Sequence, residues 1–98
     1  MEIIKNQKEN TMNVALVGRL DTTTAPQLEA ELTLDGVTEL NFDFEKLDYI
    51  SSAGLRVLLA AQKTMNKQGS MKISRVNADI MEVFEITGFS DILTIELN

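Results

Sequence analysis

The hydrophobic period changes once, sharply, in the middle of the chain. In "TELNFDF" the apolar residues Leu40, Phe42 and Phe44 alternate with Asn41, Asp43 and Glu45, the two-residue period of a strand buried on one face. From Ser52 onward Leu55, Leu58, Leu59, Gln62 and Met65 recur at helical spacing, while Arg56, Ala60, Lys63 and Lys67 fall on another side. A strand therefore runs into the main core helix across "DYISSAGLRVLL", and two serines stand at the junction.

The flanking segments extend this into an alternating order. "EIIKNQKEN" and "MNVALVG" read as two strands of a hairpin with a polar turn. In "DTTTAPQLEAEL", Thr24 or a neighbouring threonine suits an N-cap, Pro26 is tolerated in a first turn, and Leu28 and Leu32 share a face. This short helix is expected to stop near Asp35 and Gly36. The main helix is expected to end at Gly69, followed by a strand in "SMKISR". A further helix carries Ile80, Val83, Phe84 and Thr87, with Asn77 as its N-cap and Gly88 as its stop. "ILTIEL" reads as a last strand or extended segment. The order ββαβαβαβ predicts an α/β fold with strands after each helix parallel to their predecessors. The polar face of "TELNFDF" predicts a mixed sheet of four to five strands, with helices covering mainly one side.

At 98 residues the length suits a single domain, residues 1–98, with one modest core. Its 44% hydrophobic and 24% charged residues are those of an ordinary globular chain. There is no cysteine, which removes disulfides, thiol nucleophiles and thiolate metal sites and suits a reducing, cytoplasmic setting. No apolar segment is long enough for a signal peptide or a membrane span. The net charge of −6 opposes nucleic-acid binding, which relies on a basic footprint.

The inventory also limits chemistry. Without histidine or cysteine, Ser-His and Cys-His nucleophilic catalysis and most zinc sites are ruled out, so no enzyme activity is expected. The five glycines are isolated, and no glycine-rich phosphate loop occurs. No cofactor is expected. Asp21, Asp43, Glu45 and Asp48 are the acidic residues near strand ends, and the plain reading of such residues is solvation rather than a hard-cation site. Ser52 stands where an N-cap is wanted, just ahead of Ala53 and Gly54. Its plain role is that cap. Its sharper role is an accessible hydroxyl at a helix N-terminus, left open to another protein by small neighbours.

"DYISSAGLRVLL", with "VGRLDTTTAPQLEAEL" and "NFDFEKL" before it and "VFEITGFSDIL" after it, resembles the bacterial anti-sigma-factor antagonists of the STAS-domain family. The resemblance runs in order over nearly the whole chain. It implies a STAS-like fold and an Asp-Ser-Ser/Thr-Gly-Leu motif in which the serine two places before the glycine accepts a phosphate. That position is Ser52, two before Gly54. The implied partners are an anti-sigma factor that is also an ATP-dependent serine kinase, bound by the unphosphorylated form and released by the phosphorylated one, and a protein serine phosphatase that resets the switch. The implied partner-binding residues are Asp21, Ser51, Ser52, Ala53, Gly54 and Arg56. Two positions depart from the motif: Ser51 replaces its acidic residue and Ala53 its second hydroxyl. Asp21 matches the aspartate closing the family's Gly-x-Leu-Asp element, near the acceptor, and is otherwise a turn or cap residue. Asp43 matches a strand-end acidic residue with an expected structural role. Arg56, on the exposed side of the main helix, is either a partner contact or a solvated charge. The alternative to the switch is a STAS module that is never phosphorylated and docks on a transporter or signalling assembly.

Overall fold

The computed structural model describes residues 1–96. Strands β1 (Glu2–Lys8) and β2 (Thr11–Leu20) form the expected antiparallel hairpin, with Lys8 opposite Thr11. Its two-residue turn needs positive φ, and Glu9 supplies it at 56°. The Asn10 carbonyl then accepts the N–H groups of Thr38 and Glu39 at 2.9 and 3.2 Å, which ties the turn to the start of β3 (Glu39–Ile50). β3 runs parallel to β2, and β4 (Ser70–Ser74) runs parallel to β3. The sheet order is therefore β1-β2-β3-β4. Parallel neighbours require a crossover; α1 (Ala25–Glu31) links β2 to β3 and α2 (Ser52–Gln68) links β3 to β4. Helix α3 (Ala78–Thr87) follows, then a 3-10 turn, Phe89–Asp91. The closing segment returns to the sheet as one parallel bridge, Ile95 beside Ile73. Leu97, the last residue of "ILTIEL", lies outside the described residues.

Strand β3 is longer than its alternating run, and the pairing with β2 explains why. Leu40, Phe42 and Phe44 are buried at intervals of two, but the next buried residues are Leu47 and Ile50. Ala15 pairs with Asp43 and Val17 with Lys46; Gly18 pairs with Leu47 and Arg19 with Tyr49. Each slip inserts one extra residue into β3, a bulge that shifts the inward side by one position. The strand thus keeps an apolar inner face to Ile50 although its sequence no longer alternates.

All three helices lie on the face that carries Leu40, Phe42 and Phe44. Helix α2 buries Leu55, Val57, Leu58, Ala61, Gln62 and Met65 there, and α3 adds Ile80 and Phe84. The Phe44 ring lies 5.9 Å from Phe42 and 6.4 Å from Phe84, centroid to centroid, within the range of favourable aromatic contacts. Helix α1 ends at Glu31 rather than near Gly36. Leu32 leaves the helical region with ψ of 73°, and Leu32 and Leu34 pack against the core, so an extended stretch precedes the Asp35–Gly36 turn.

The opposite face is polar. Asn41 donates to Asn13 at 3.0 Å across β2 and β3. Arg75, just past β4 at φ 58°, forks onto both oxygens of Asp43 and reaches Glu45 at 3.0 Å. Partial burial pushes the Asp43 carboxyl up, but the Arg75 guanidinium, the Glu45 N–H and the charges of Arg75 and Lys46 outweigh it and hold it below the usual value. Asp43 is thus a structural residue that fastens β3 to the end of β4. Among the described residues no cluster of three or more histidine, cysteine, aspartate or glutamate side chains is arranged to hold a metal ion.

Candidate functional site

Strands β2 and β3 end side by side, Leu20 beside Ile50. The chain leaves the sheet there twice, through Asp21 toward α1 and through Ser51 into α2. The Ser51 N–H donates to the Leu20 carbonyl at 2.9 Å, one last bond that extends the parallel ladder past Ile50. It holds Ser51 extended, at φ −103° and ψ 176°. Ser51 is therefore the N-cap, its carbonyl accepting the Leu55 N–H at 3.0 Å, and Ser52 is the first helical residue rather than the cap.

The two hydroxyls consequently face different surroundings. Ser51 Oγ makes no capping bond and is shielded from solvent without a hydrogen-bond partner. Ser52 is exposed. The Ser51 N–H is taken by the ladder, so the N–H groups of Ser52, Ala53 and Gly54 are the ones a helix start leaves without carbonyl partners, and no capping side chain accepts from them.

Gly54 is buried. A Cβ at this position would lie 2.7 Å from Leu20 Cγ and 2.9 Å from Ile50 Cγ1, so only glycine lets the first turn of α2 rest on the ends of both strands. Ser52 is accessible because it is the first helical residue, facing away from that contact, and not because Gly54 is small. Ala53 is half-buried and Arg56 exposed. These two, with Val57, line a shallow groove whose opposite wall is Thr22, Ala25, Pro26 and Glu29.

Asp21 is largely consumed by its own turn. Its Oδ1 accepts the N–H groups of Thr23 and Thr24 at 3.0 and 3.1 Å. Thr24 does not cap α1 with its side chain; its hydroxyl accepts the Asp21 N–H at 2.8 Å and donates to the Arg19 carbonyl at 2.7 Å. The Thr24 N–H, followed by the Thr23 N–H, the Thr24 hydroxyl and the Arg19 charge, holds the Asp21 carboxyl below its ordinary value against the opposing effect of desolvation. Its other oxygen, Oδ2, lies 3.7 Å from Arg19 Nε. The Leu20–Ser51 bond and the Leu20–Gly54 contact bring the two segments together, but among the described residues no hydrogen bond joins Asp21 to either serine.

Sequence reasoning missed Arg19 and Tyr49. They pair across β2 and β3, with the guanidinium 4.2 Å from the ring centroid, a cation–π contact one residue from each chain exit. Their partnership depends on the strand register after two bulges, so no local signal marks it.

The α/β sheet thus has one covered face and displays the Ser52 hydroxyl where two strands end, in a chain that contains neither histidine nor cysteine. The chain belongs to the STAS domain family, whose model matches residues 2–98. It is 35% identical over 99 residues to BtrV of Bordetella bronchiseptica, provisionally named an anti-sigma factor antagonist, covering 97% of this chain and 85% of that one. It is 32% identical over 92 residues to the anti-sigma-B factor antagonist of Bacillus subtilis, covering 91% and 84%. The fold superposes on the anti-sigma factor antagonist SpoIIAA in its unphosphorylated form with a TM-score of 0.78, at 18% identity, over 99% of this chain and 89% of that one. On phosphorylated SpoIIAA of Bacillus the TM-score is 0.76, again at 18% identity, over 99% and 93%. These relatives are named for antagonism of another protein, a regulatory binding role and not an enzymatic one. Among the described residues no helix is long and apolar enough to cross a membrane.

Proposed function

We propose that this chain is a cytoplasmic anti-sigma factor antagonist whose docking is switched by phosphorylation of Ser52. The observation that carries the reading is the division between adjacent serines: Ser51 Oγ is enclosed and Ser52 is exposed. A kinase meets the second hydroxyl directly, whereas the first is turned into the protein. The names of the relatives support an anti-sigma factor as the partner.

In the transfer, Ser52 Oγ attacks the γ-phosphorus of ATP held by the anti-sigma kinase. The new O–P bond forms as the bond to the ADP leaving group breaks, and the hydroxyl proton passes to a base on the kinase. The product carries about −1.5 to −2 charge at neutral pH. At a helix start that charge is tolerated locally, so the fold persists and the surface changes. A partner packed against Ser52 then meets a dianion, and because about 1.4 kcal/mol is tenfold in affinity, a desolvation penalty of several kcal/mol releases it. A serine phosphatase restores the docking form, and sigma-dependent transcription follows the state of Ser52. Asp21, Ser51, Ala53 and Arg56 frame the surface, with Arg19 and Tyr49 beside it.

Incubation with the cognate anti-sigma kinase and ATP is expected to add one phosphate that mass spectrometry maps to Ser52. Ser52→Ala is expected to lose the phosphate yet still bind the kinase. Loss of phosphate in Ser51→Ala but not in Ser52→Ala would move the acceptor by one residue. Absence of phosphate from the parent chain would favour the docking module that is never phosphorylated.

A further inference from the structure

Arg56 follows Ser52 by four residues in α2, and both are exposed. Positions four apart on a helix have Cβ atoms about 5–6 Å apart. Helical side chains also lean toward the N-terminus, so a long side chain lies over the residue one turn earlier. Arg56 also lines the groove between α1 and α2, beside Ala53 and Val57. The chain has three arginines. Arg19 is drawn to Asp21, and Arg75 to Asp43 and Glu45. Among the described residues Arg56 forms no ion pair, although Glu29 shares its groove. Arg56, with no ion pair of its own, is thus the residue one helical turn along from the displayed hydroxyl.

We propose that Arg56 is the intramolecular partner of a phosphate on Ser52, so that phosphorylation changes two charges of the docking surface at once: it adds a dianion and withdraws a cation from the incoming partner. This rests on the reading of Ser52 as the acceptor. A guanidinium presents two parallel N–H donors that match phosphate oxygens, which an ammonium does not. The order is also the favourable one for a helix, acid at the earlier position and base four residues later. Before modification Arg56 is free to meet an acidic group on the partner. After modification it is folded back over residue 52. Among the residues that line this groove Arg56 is the one cation, and it adds to the helix start in offsetting the new charge.

The test installs phosphoserine at position 52 during translation, so that it depends on no kinase, and follows the second ionisation of the phosphate by 31P NMR at low salt. A neighbouring cation favours the dianion and lowers the titration midpoint. Arg56→Gln is therefore expected to raise the midpoint by roughly 0.3 pH unit or more, with Arg56→Lys recovering part of the shift. Lys63→Gln, on the exposed side of the same helix, is expected to leave the midpoint in place, which separates local pairing from net charge. Salt at about 0.5 M is expected to narrow the difference between the parent chain and Arg56→Gln. Coincident midpoints for those two at low salt, within about 0.1 unit against the expected pairing shift, would overturn the proposal, as would an equal shift in Lys63→Gln. Should the anti-sigma kinase instead label a residue other than Ser52, the functional reading falls, and the proposed switching role of Arg56 falls with it.

Discussion

Helices α2 and α3 each follow a strand of the parallel part of the sheet, β3 and β4, and their first turns are built in opposite ways. At α3 the N-cap Asn77 accepts the Ile80 N–H at 2.8 Å and donates to the Leu47 carbonyl at 3.0 Å. At α2 the N-cap Ser51 makes neither kind of contact with its side chain. The third helical residue differs too. In α3 it is Ile80, a fully buried side chain that fills the space between helix and sheet; in α2 it is Gly54, where even a Cβ would collide with Leu20 and Ile50. One start is fastened by a side chain and stands off from the sheet. The other is pressed against the strand ends by backbone contact alone, and its open N–H groups and first hydroxyl stay available. A stability-optimised cap and a displayed hydroxyl make competing demands on the same few atoms, and the molecule meets one at each helix.

The contrast is tested first at the close approach. Gly54→Ala places a methyl group 2.7 Å from Leu20 Cγ, and neither Leu20 nor Ile50 has solvent to move into. Overpacking of this kind costs about 1–3 kcal/mol, and a gain in helix propensity offsets less than about 1 kcal/mol of it so close to the helix end. The midpoint of urea unfolding is expected to fall clearly. A midpoint equal to that of the parent chain would show that α2 does not depend on this contact, and the account of its first turn would have to change.

Asn77→Ala comes next in size. The variant loses the bond to Ile80 N–H and leaves the Leu47 carbonyl without its side-chain donor, an expected loss of about 1–2 kcal/mol in chemical denaturation. The Ile80 amide of α3 is expected to lose hydrogen-exchange protection, while the amides of α2 keep theirs. Uniform loss across both helices would mean that the two starts are not independent.

The halves of this contrast were unequally legible in the sequence. Asn77 and Gly88 were found because cap chemistry is local: an asparagine accepts a nearby N–H, and a glycine adopts the left-handed φ of 81° that ends α3. The alternation of Leu40, Phe42 and Phe44 was equally plain. Beyond Phe44 the strand was hidden, since Leu47 and Ile50 face inward only because of two bulges against β2, and register is not written in one strand alone. That hidden length moved the N-cap from Ser52 to Ser51. The same dependence on register concealed the Arg19–Tyr49 stack. Gly54 could be seen as small, but not that Leu20 lies beneath it. The end of α1 was misjudged because the Asp35–Gly36 turn is a strong local signal, whereas the burial of Leu32 and Leu34 that ends the helix earlier is a tertiary effect.

Ser51→Ala is the smallest expected effect and the sharpest test of the comparison. Replacing a serine N-cap with alanine ordinarily costs about 0.5–2 kcal/mol, because the hydroxyl accepts a backbone N–H. Here that bond is absent, and Ser51 is held by its backbone, through the Leu20 carbonyl on one side and the Leu55 N–H on the other. Alanine keeps both backbone bonds and removes a shielded oxygen that has no partner. A buried hydroxyl without a hydrogen bond is itself unfavourable, so its removal forfeits no bond and stability is expected to change by less than about 0.5 kcal/mol in either direction. The same substitution chemistry thus separates the two helices: alanine at Asn77 breaks a working cap, and alanine at Ser51 does not. A loss above about 1 kcal/mol in Ser51→Ala would show that Ser51 caps α2 after all and that the two starts are built alike. Labelling of Ser51→Ala by the anti-sigma kinase is expected to continue at Ser52, because an oxygen turned into the protein has no part in displaying the one beside it.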